Sequence, residues 1–263
     1  MGFISKDFME RNFLNSLLDN SCLTLLVILA MLFAVSSCNK SGADCFTSTG
    51  TIIRQTRPVS DFDTIIAREN VDIILTQDSV NSIVVEAGEN IIDGIKTVIG
   101  NSQLEIDNSN KCNWVRSYDK PLNVYVHVKN LRKIYYLSAG NISSTNTITA
   151  GSFLLDVWGG CGSINLSLNV IQGFIYEHLG TADITIKGRV VFNSVVSGDY
   201  GFLQLKDLNT DYTFVGNSGS NDCYVNCDKV LDATIRSIGN IYYTGNPDSV
   251  HTHIYGAGQV IAF

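Results

Sequence analysis

The sequence predicts an all-β chain wound as a right-handed parallel β-helix, a solenoid with coils of about 20 residues, behind an N-terminal signal peptide. Three observations predict it. Apolar and polar residues alternate with period two, most plainly where Ile164, Leu166, Leu168 and Val170 interleave with Asn165, Ser167 and Asn169. That is the pattern of a strand with one buried face. A glycine-bearing polar turn followed by an apolar residue recurs at Ile142, Ile164, Ile184, Phe202, Cys223, Ile241 and Val260, in steps of 22, 20, 18, 21, 18 and 19 residues. No proline stands between Leu122 and Asn246, as continuous ladders require, because proline removes a backbone donor.

Bulk composition sets the frame for these elements. The 263 residues are 45% apolar and 16% charged, with a formal net charge of -7. Such a chain can bury a sizeable core, and it lacks the basic footprint of a nucleic-acid binder. No nucleic acid partner is expected.

Residues 1–37 read as a lipoprotein signal peptide. The run CLTLLVILAMLFAV, Cys22 to Val35, holds fourteen residues broken only by Thr24. As a helix it covers about 21 Å, short of the roughly 30 Å of a bilayer core, so it is a signal core and not a span. VSSC, Val35 to Cys38, is similar to a bacterial lipobox, which makes Cys38 the lipidated first residue of the mature protein. The leader is weakly basic, with Lys6 and Arg11 against Asp7, Glu10 and Asp19, and Met9 offers an alternative start. Residues 38–51 then form a tether, and acyl chains supply membrane affinity at about 0.8 kcal/mol per buried CH₂.

Residues 52–263 are the body, with less regular opening coils over 52–130 and regular glycine-turn coils over 131–263. In the opening stretch Val71, Ile73 and Leu75, then Val124, Val126 and Val128, extend the inward rows; a separate β-sandwich module is the alternative there. A single coil cannot offset the conformational entropy of its own backbone with a handful of buried side chains, so coils must stack. The residues before the inward positions (Asn141, Ser163, Asp183, Gly201, Asp222, Asn240 and Gln259) are turn-formers.

Of the five cysteines past the leader, Cys223 and Cys227 share parity with Val225 and read as small buried hydrophobes. About 13 Å of extended chain separates them, too far for a disulfide. Cys45 and Cys112 lie outside the regular repeats and are the candidates for a bridge, while Cys161 lies in a glycine turn.

Candidate chemistry is sparse. Asp183 and Asp222 occupy equivalent turns two coils apart, roughly 9.5 Å at the strand spacing, which an inverting carboxylate pair could use. Turn acids usually do no more than form the turn. His251 and His253 point outward, and a step back of 19 residues sets Asp232 beside His251 and Thr234 beside His253; two imidazoles and a carboxylate make a candidate metal set, although outward histidines are far commoner than ligands. Tyr176, Tyr200, Tyr224, Tyr242 and Tyr255 offer aromatic platforms or serve as ordinary strand residues. G-x-S-x-G, H-E-x-x-H and phosphate-loop motifs are absent from the sequence. No cofactor is expected.

The order F-x-x-I, V-D-I-I-L-T-Q, E-A-G-E-N-I-I, Q-L-E-I, L-N-V-Y-V-H-V, the glycine turns, then I-Y-Y-T-G-N-P-D-S-V and G-A-G-Q-V resembles the putative auto-transporter adhesin, head GIN domain family of Bacteroidetes-type lipoproteins. The resemblance covers about residues 52–263, with Tyr243, Gly245 and Pro247 its most specific part. It implies a single-stranded right-handed β-helix with an adhesive or surface role, and it brings no catalytic residues. Several turns depart from the full serine-glycine form, as at Gly180, Thr181 and Ala182. The expected function is a non-enzymatic outer-membrane lipoprotein, a surface-binding adhesin held to the membrane by lipid. Glycans or proteins are the expected ligands, and self-association is open. A polysaccharide-active β-helix enzyme and a purely structural envelope component are the alternatives.

Overall fold

The computed structural model describes residues 48–111 and 120–263. The signal peptide 1–37, Cys38, Cys45 and Cys112 lie outside the described residues. The opening strands are β1 (Ile52–Arg57), β2 (Thr64–Glu69), β3 (Asp72–Gln77), β4 (Ser82–Gly88), β5 (Ile95–Gly100), β6 (Gln103–Asn108), β7 (Asn123–Val128) and β8 (Lys133–Ser138). Three long strands follow: β9 (Ile142–Trp158), β10 (Ser163–Leu179) and β11 (Asp183–Ser197). The chain then runs through β12 (Leu203–Gln204), β13 (Leu208–Asn217), β14 (Cys223–Asn226) and β15 (Val230–Ile235). It finishes with β16 (Ile241–Thr244), β17 (Ser249–Ile254) and β18 (Val260–Ala262).

Two parallel ladders build a solenoid of about six turns. The first stacks β6, β2, β8, the later halves of β9, β10 and β11, then β13, β15 and β17. The second stacks β7, β3, the earlier halves of β9, β10 and β11, then β12, β14, β16 and β18. Opening strands depart from this pattern in one respect: β5 pairs antiparallel with β6, β4 with β7, and β1 with β4. These hairpin-like additions close the first coils, as capping units of a solenoid do.

Between the ladders runs one continuous apolar column. Its second-ladder side is the row Ile73, Ile142, Ile164, Ile184, Leu203, Cys223 and Ile241, none more than 1% exposed. Its first-ladder side is Ile65, Ile134, Leu155, Ile175, Val195, Val215 and Ala233. Val124, Val126 and Val128 are fully buried, so the opening stretch shares this core.

One inward position differs from the sequence reading. Ile184 stacks on Leu203, not Phe202, and Phe202 is 48% exposed. Gly201 occupies a buried place with its N–H held by Glu177 Oε1 at 2.8 Å. Alternation from that buried glycine sends Phe202 out and Leu203 in, and the steps of 18 and 21 become 19 and 20 residues. The repeat is therefore more even than the turns alone suggest.

The glycine corners have a common physical cause. Several bring a backbone N–H toward the column, where a buried polar side chain receives it: Ser138 Oγ takes Gly140 N (2.9 Å), Tyr136 Oη takes Gly162 N (3.0 Å), and Asn217 Oδ1 takes Gly219 N (2.9 Å). Unpaired, each donor would destabilise the fold by about 1–3 kcal/mol. At Gly140 a Cβ would stand 2.0 Å from Val71 O, so only glycine passes. Just beyond the corners the turn-formers bond from coil to coil. Asp72 Oδ1 accepts Asn141 N (2.7 Å), Asn141 Oδ1 accepts Ser163 N (3.0 Å), Asp222 Oδ1 accepts Asn240 N (2.9 Å), and Asn240 Oδ1 accepts Gln259 N (2.9 Å).

Candidate functional site

A buried column and polar corners leave function to the outward rows of the two ladders. On the first ladder the outward positions of β8, β9 and β10 gather an aromatic cluster. The Trp158 indole is 49% exposed and stacks on the His178 ring, 4.0 Å between centroids at 20°. His178 Nε2 lies 3.2 Å from Asp156 Oδ1, and Lys133 Nζ lies 3.8 Å from Asp156 Oδ2. Lys133 also sits over the Tyr135 ring at 3.6 Å. Asp156, only 8% exposed, thus lies between the Lys133 ammonium and the imidazole on which the indole stacks. Tyr176 packs edge-on to His178 and donates to Ser194 Oγ at 3.2 Å.

Further along the same face Phe192 stacks on Tyr212 at 4.9 Å, and Phe214 is 52% exposed. Asp211 is fastened there by Lys229 at 3.0 Å and by Arg189, and these cations hold its carboxyl below the usual range. The result is a set of outward rings spread across several coils, with Trp158 stacked on His178 and Phe192 on Tyr212. Rigid aromatic surface with polar edges is well suited to binding, since little freedom is lost on contact.

The residues singled out from sequence fare differently. Asp222 is occupied by the N–H and amide of Asn240, and Phe202 stands between it and Asp183 in the stack. The two acids stand two coils apart, as the sequence spacing places them, with the outward Phe202 between. Asp232 pairs with His251 and Thr234 with His253 in the ladder, as the 19-residue step places them. His253 Nε2 lies 3.7 Å from Asp232 Oδ1, both partly exposed. Among the described residues no three His, Cys, Asp or Glu side chains gather to hold a metal ion.

Cys223 and Cys227 are fully buried, and burial pushes the Cys223 thiol up to about 12, which leaves it inert as a nucleophile. Cys161 is exposed and free. Of the tyrosines, Tyr224 and Tyr242 stack at 5.0 Å with Phe263 against their edges, while Tyr200 and Tyr255 are 60% and 75% exposed. Sequence reasoning missed Trp158 and His178. The outward parity of Lys133, Tyr135 and Leu137 on β8 signals this face, but the β10 irregularity between Glu177 and Leu179 hides which coil-mates meet. Among the described residues no helix is long and apolar enough to cross a membrane.

Comparison with known proteins places this geometry. The family model described as "Putative auto-transporter adhesin, head GIN domain" matches residues 61–247. A solved structure of a putative adhesin from Bacteroides fragilis superposes with a TM-score of 0.74 at 18% identity, covering 81% of this chain and 97% of that one. A putative adhesin from Parabacteroides distasonis gives 0.59 at 20% identity, over 81% of this chain and 98% of the other. A protein from the same organism described as a putative lipid binding protein gives 0.60 at 17% identity, over 82% and 98%. At these identities the solved structures show a shared fold. No curated protein matches the chain in sequence.

Proposed function

Because the chain belongs to the putative auto-transporter adhesin, head GIN domain family, we propose that it is a non-enzymatic adhesin of the cell envelope. In this reading the chain is exported, anchored in the outer membrane by lipid on Cys38, and binds glycan or protein ligands through the outer faces of its solenoid. Cys45 and Cys112 are the proposed disulfide. The observation that carries the reading is the strip of fixed, half-exposed rings on the first ladder, from Trp158 to Phe214. A soluble protein usually buries such rings or uses them, and here they lie on a flat wall suited to an extended partner.

The full chain, applied to arrays of glycans and matrix proteins, is expected to bind without cleaving any of them. Trp158→Ala should weaken that binding about tenfold or more, the size of an aromatic anchor at an interface. Release of shortened glycan products would replace this reading with an enzymatic one. Retention of every ligand by the Trp158→Ala chain would remove the aromatic strip from the binding surface.

A further inference from the structure

The step from Ile142 to Ile164, 22 residues, is the longest in the regular array, and its extra length has a definite place. Ser143 stacks opposite Asn165, but the next pairing joins Thr147 to Ser167, so three residues of β9 face the single residue Leu166. Two of the three turn toward the preceding coil. Thr145 Oγ1 lies 2.7 Å from Thr76 Oγ1, while Asn146 accepts from Gln77 N at 2.9 Å and donates to Gln77 O at 2.8 Å. Ser144 stays behind, its Oγ accepting Ser167 N at 2.9 Å. Bulges of this kind re-aim side chains and often border binding sites.

The bulge opens a cleft of about 210 Å³ on the outer face of the second ladder. Hydroxyls of Ser143, Ser144, Ser167 and Thr185 line it with the Asn165 amide, above a floor at Leu166. Lys187 is the one charged residue of the lining. It is exposed and takes part in no hydrogen bond or ion pair among the described residues. In a chain of net charge -7, most cations within reach of an acid are paired, as Lys229 and Arg189 are with Asp211. Lys187 is left free among hydroxyls.

Size and chemistry together narrow the ligand. Small-molecule sites usually hold roughly 300–1,000 Å³, so this cleft takes one ring-sized unit of something longer. Neutral hydroxyls and an amide suit a polyhydroxylated ring, the apolar floor suits its C–H face, and the ammonium suits a carboxylate or sulfate. The stack Thr185, Gln204, Tyr224 and Tyr242 continues along the same face, so a strand leaving the cleft meets the Tyr224–Tyr242 rings two coils on, about 9.5 Å away. We propose that this cleft is a subsite for an acidic sugar residue of an extended glycan, with Lys187 as the anion contact; the assignment rests on the adhesive reading above and names its ligand class.

The test measures binding of the full chain to polygalacturonate, hyaluronate and chondroitin sulfate, with dextran as the neutral comparator. Wild type is expected to bind an acidic polymer and ignore dextran, with affinity falling as salt rises. Lys187→Ala should weaken it roughly five- to tenfold, in line with one partly exposed charge contact. Thr185→Val should weaken it two- to threefold by roughly one lost neutral hydrogen bond. Lys96→Ala, on β5, is the charge-matched control and should leave binding unchanged; an unchanged melting temperature shows that each variant is folded. Equal binding of dextran, no binding of any acidic polymer, or an undiminished Lys187→Ala chain would overturn the assignment. A chain that adheres to a matrix protein through Trp158 while ignoring acidic glycans would sink this subsite and leave the adhesive function standing.

Discussion

Glu177 shows how one residue carries both the strength and the tension of this fold. Its side chain is fully buried, Oε1 accepts Gly201 N, and Oε2 is buried without a hydrogen-bond partner. Burial first, then the nearby Asp199 and Asp183 carboxylates, push its pKa up to about 7, against the opposing pull of the Gly201 hydrogen bond. An unfolded glutamate ionises near 4.5, so between that value and about 7 the folded chain binds the extra proton. Stability is then full below about 4.5 and falls as pH rises through about 7, by roughly 3 kcal/mol from this group. Glu177→Gln keeps the acceptor for Gly201 and removes the titration. Urea unfolding at pH 5 and pH 8 should show the variant losing less stability than wild type over that interval; parallel profiles would refute the buried-carboxylate account. Phe202 gives the matching lesson in reading. The pair Leu203 and Leu205 carried the correct parity, yet the turn glycine two places earlier suggested the other one, because sequence does not reveal that Gly201 is itself an inward position.

At the scale of elements, the repeat was legible from glycine and alternation, while the differences between coils were not. The 22-residue step was visible as a number, and only the register shows that its excess becomes a bulge aimed at Thr76 and Gln77. Deleting Thr145 and Asn146 would restore a 20-residue step. The expected outcome is a folded chain melting a few degrees lower, since a small number of hydrogen bonds are lost, with acidic-glycan binding reduced as far as in Lys187→Ala. Calorimetry read beside the binding assay checks both, and a variant that keeps its glycan affinity would show that the bulge does not shape the cleft. The opening strands were legible as strands but not in direction. Alternation is the same for parallel and antiparallel pairing, so nothing in NSIVVEAG or IKTVIG marks β4 and β5 as antiparallel partners.

Across the described body, the two ladders enclose a single, mainly apolar column, and the outward rows are the surfaces a partner can reach. A wall of this kind serves adhesion only if the chain is held at a surface. Cys38→Ser should therefore move the protein from the membrane fraction to the soluble fraction of cells, with loss of acyl mass by mass spectrometry. Membrane retention without acylation would point to another means of attachment.

The all-β class, the coil length, the inward rows at Ile73, Ile164 and Ile241, the buried state of Cys223 and Cys227, and the family can all be read from the letters of the chain. All but the family depend on periodicity or on local turn chemistry, which a single strand of letters records; the family rests on the order of motifs from F-x-x-I to G-A-G-Q-V. Only the assembled coils show that Trp158 stacks on His178, that Asp222 is taken up by Asn240, and that Lys187 shares its cleft with serine and threonine hydroxyls. Such neighbours lie about 20 residues apart in the chain, and a shift of one or two residues in any coil changes who meets whom across the ladder.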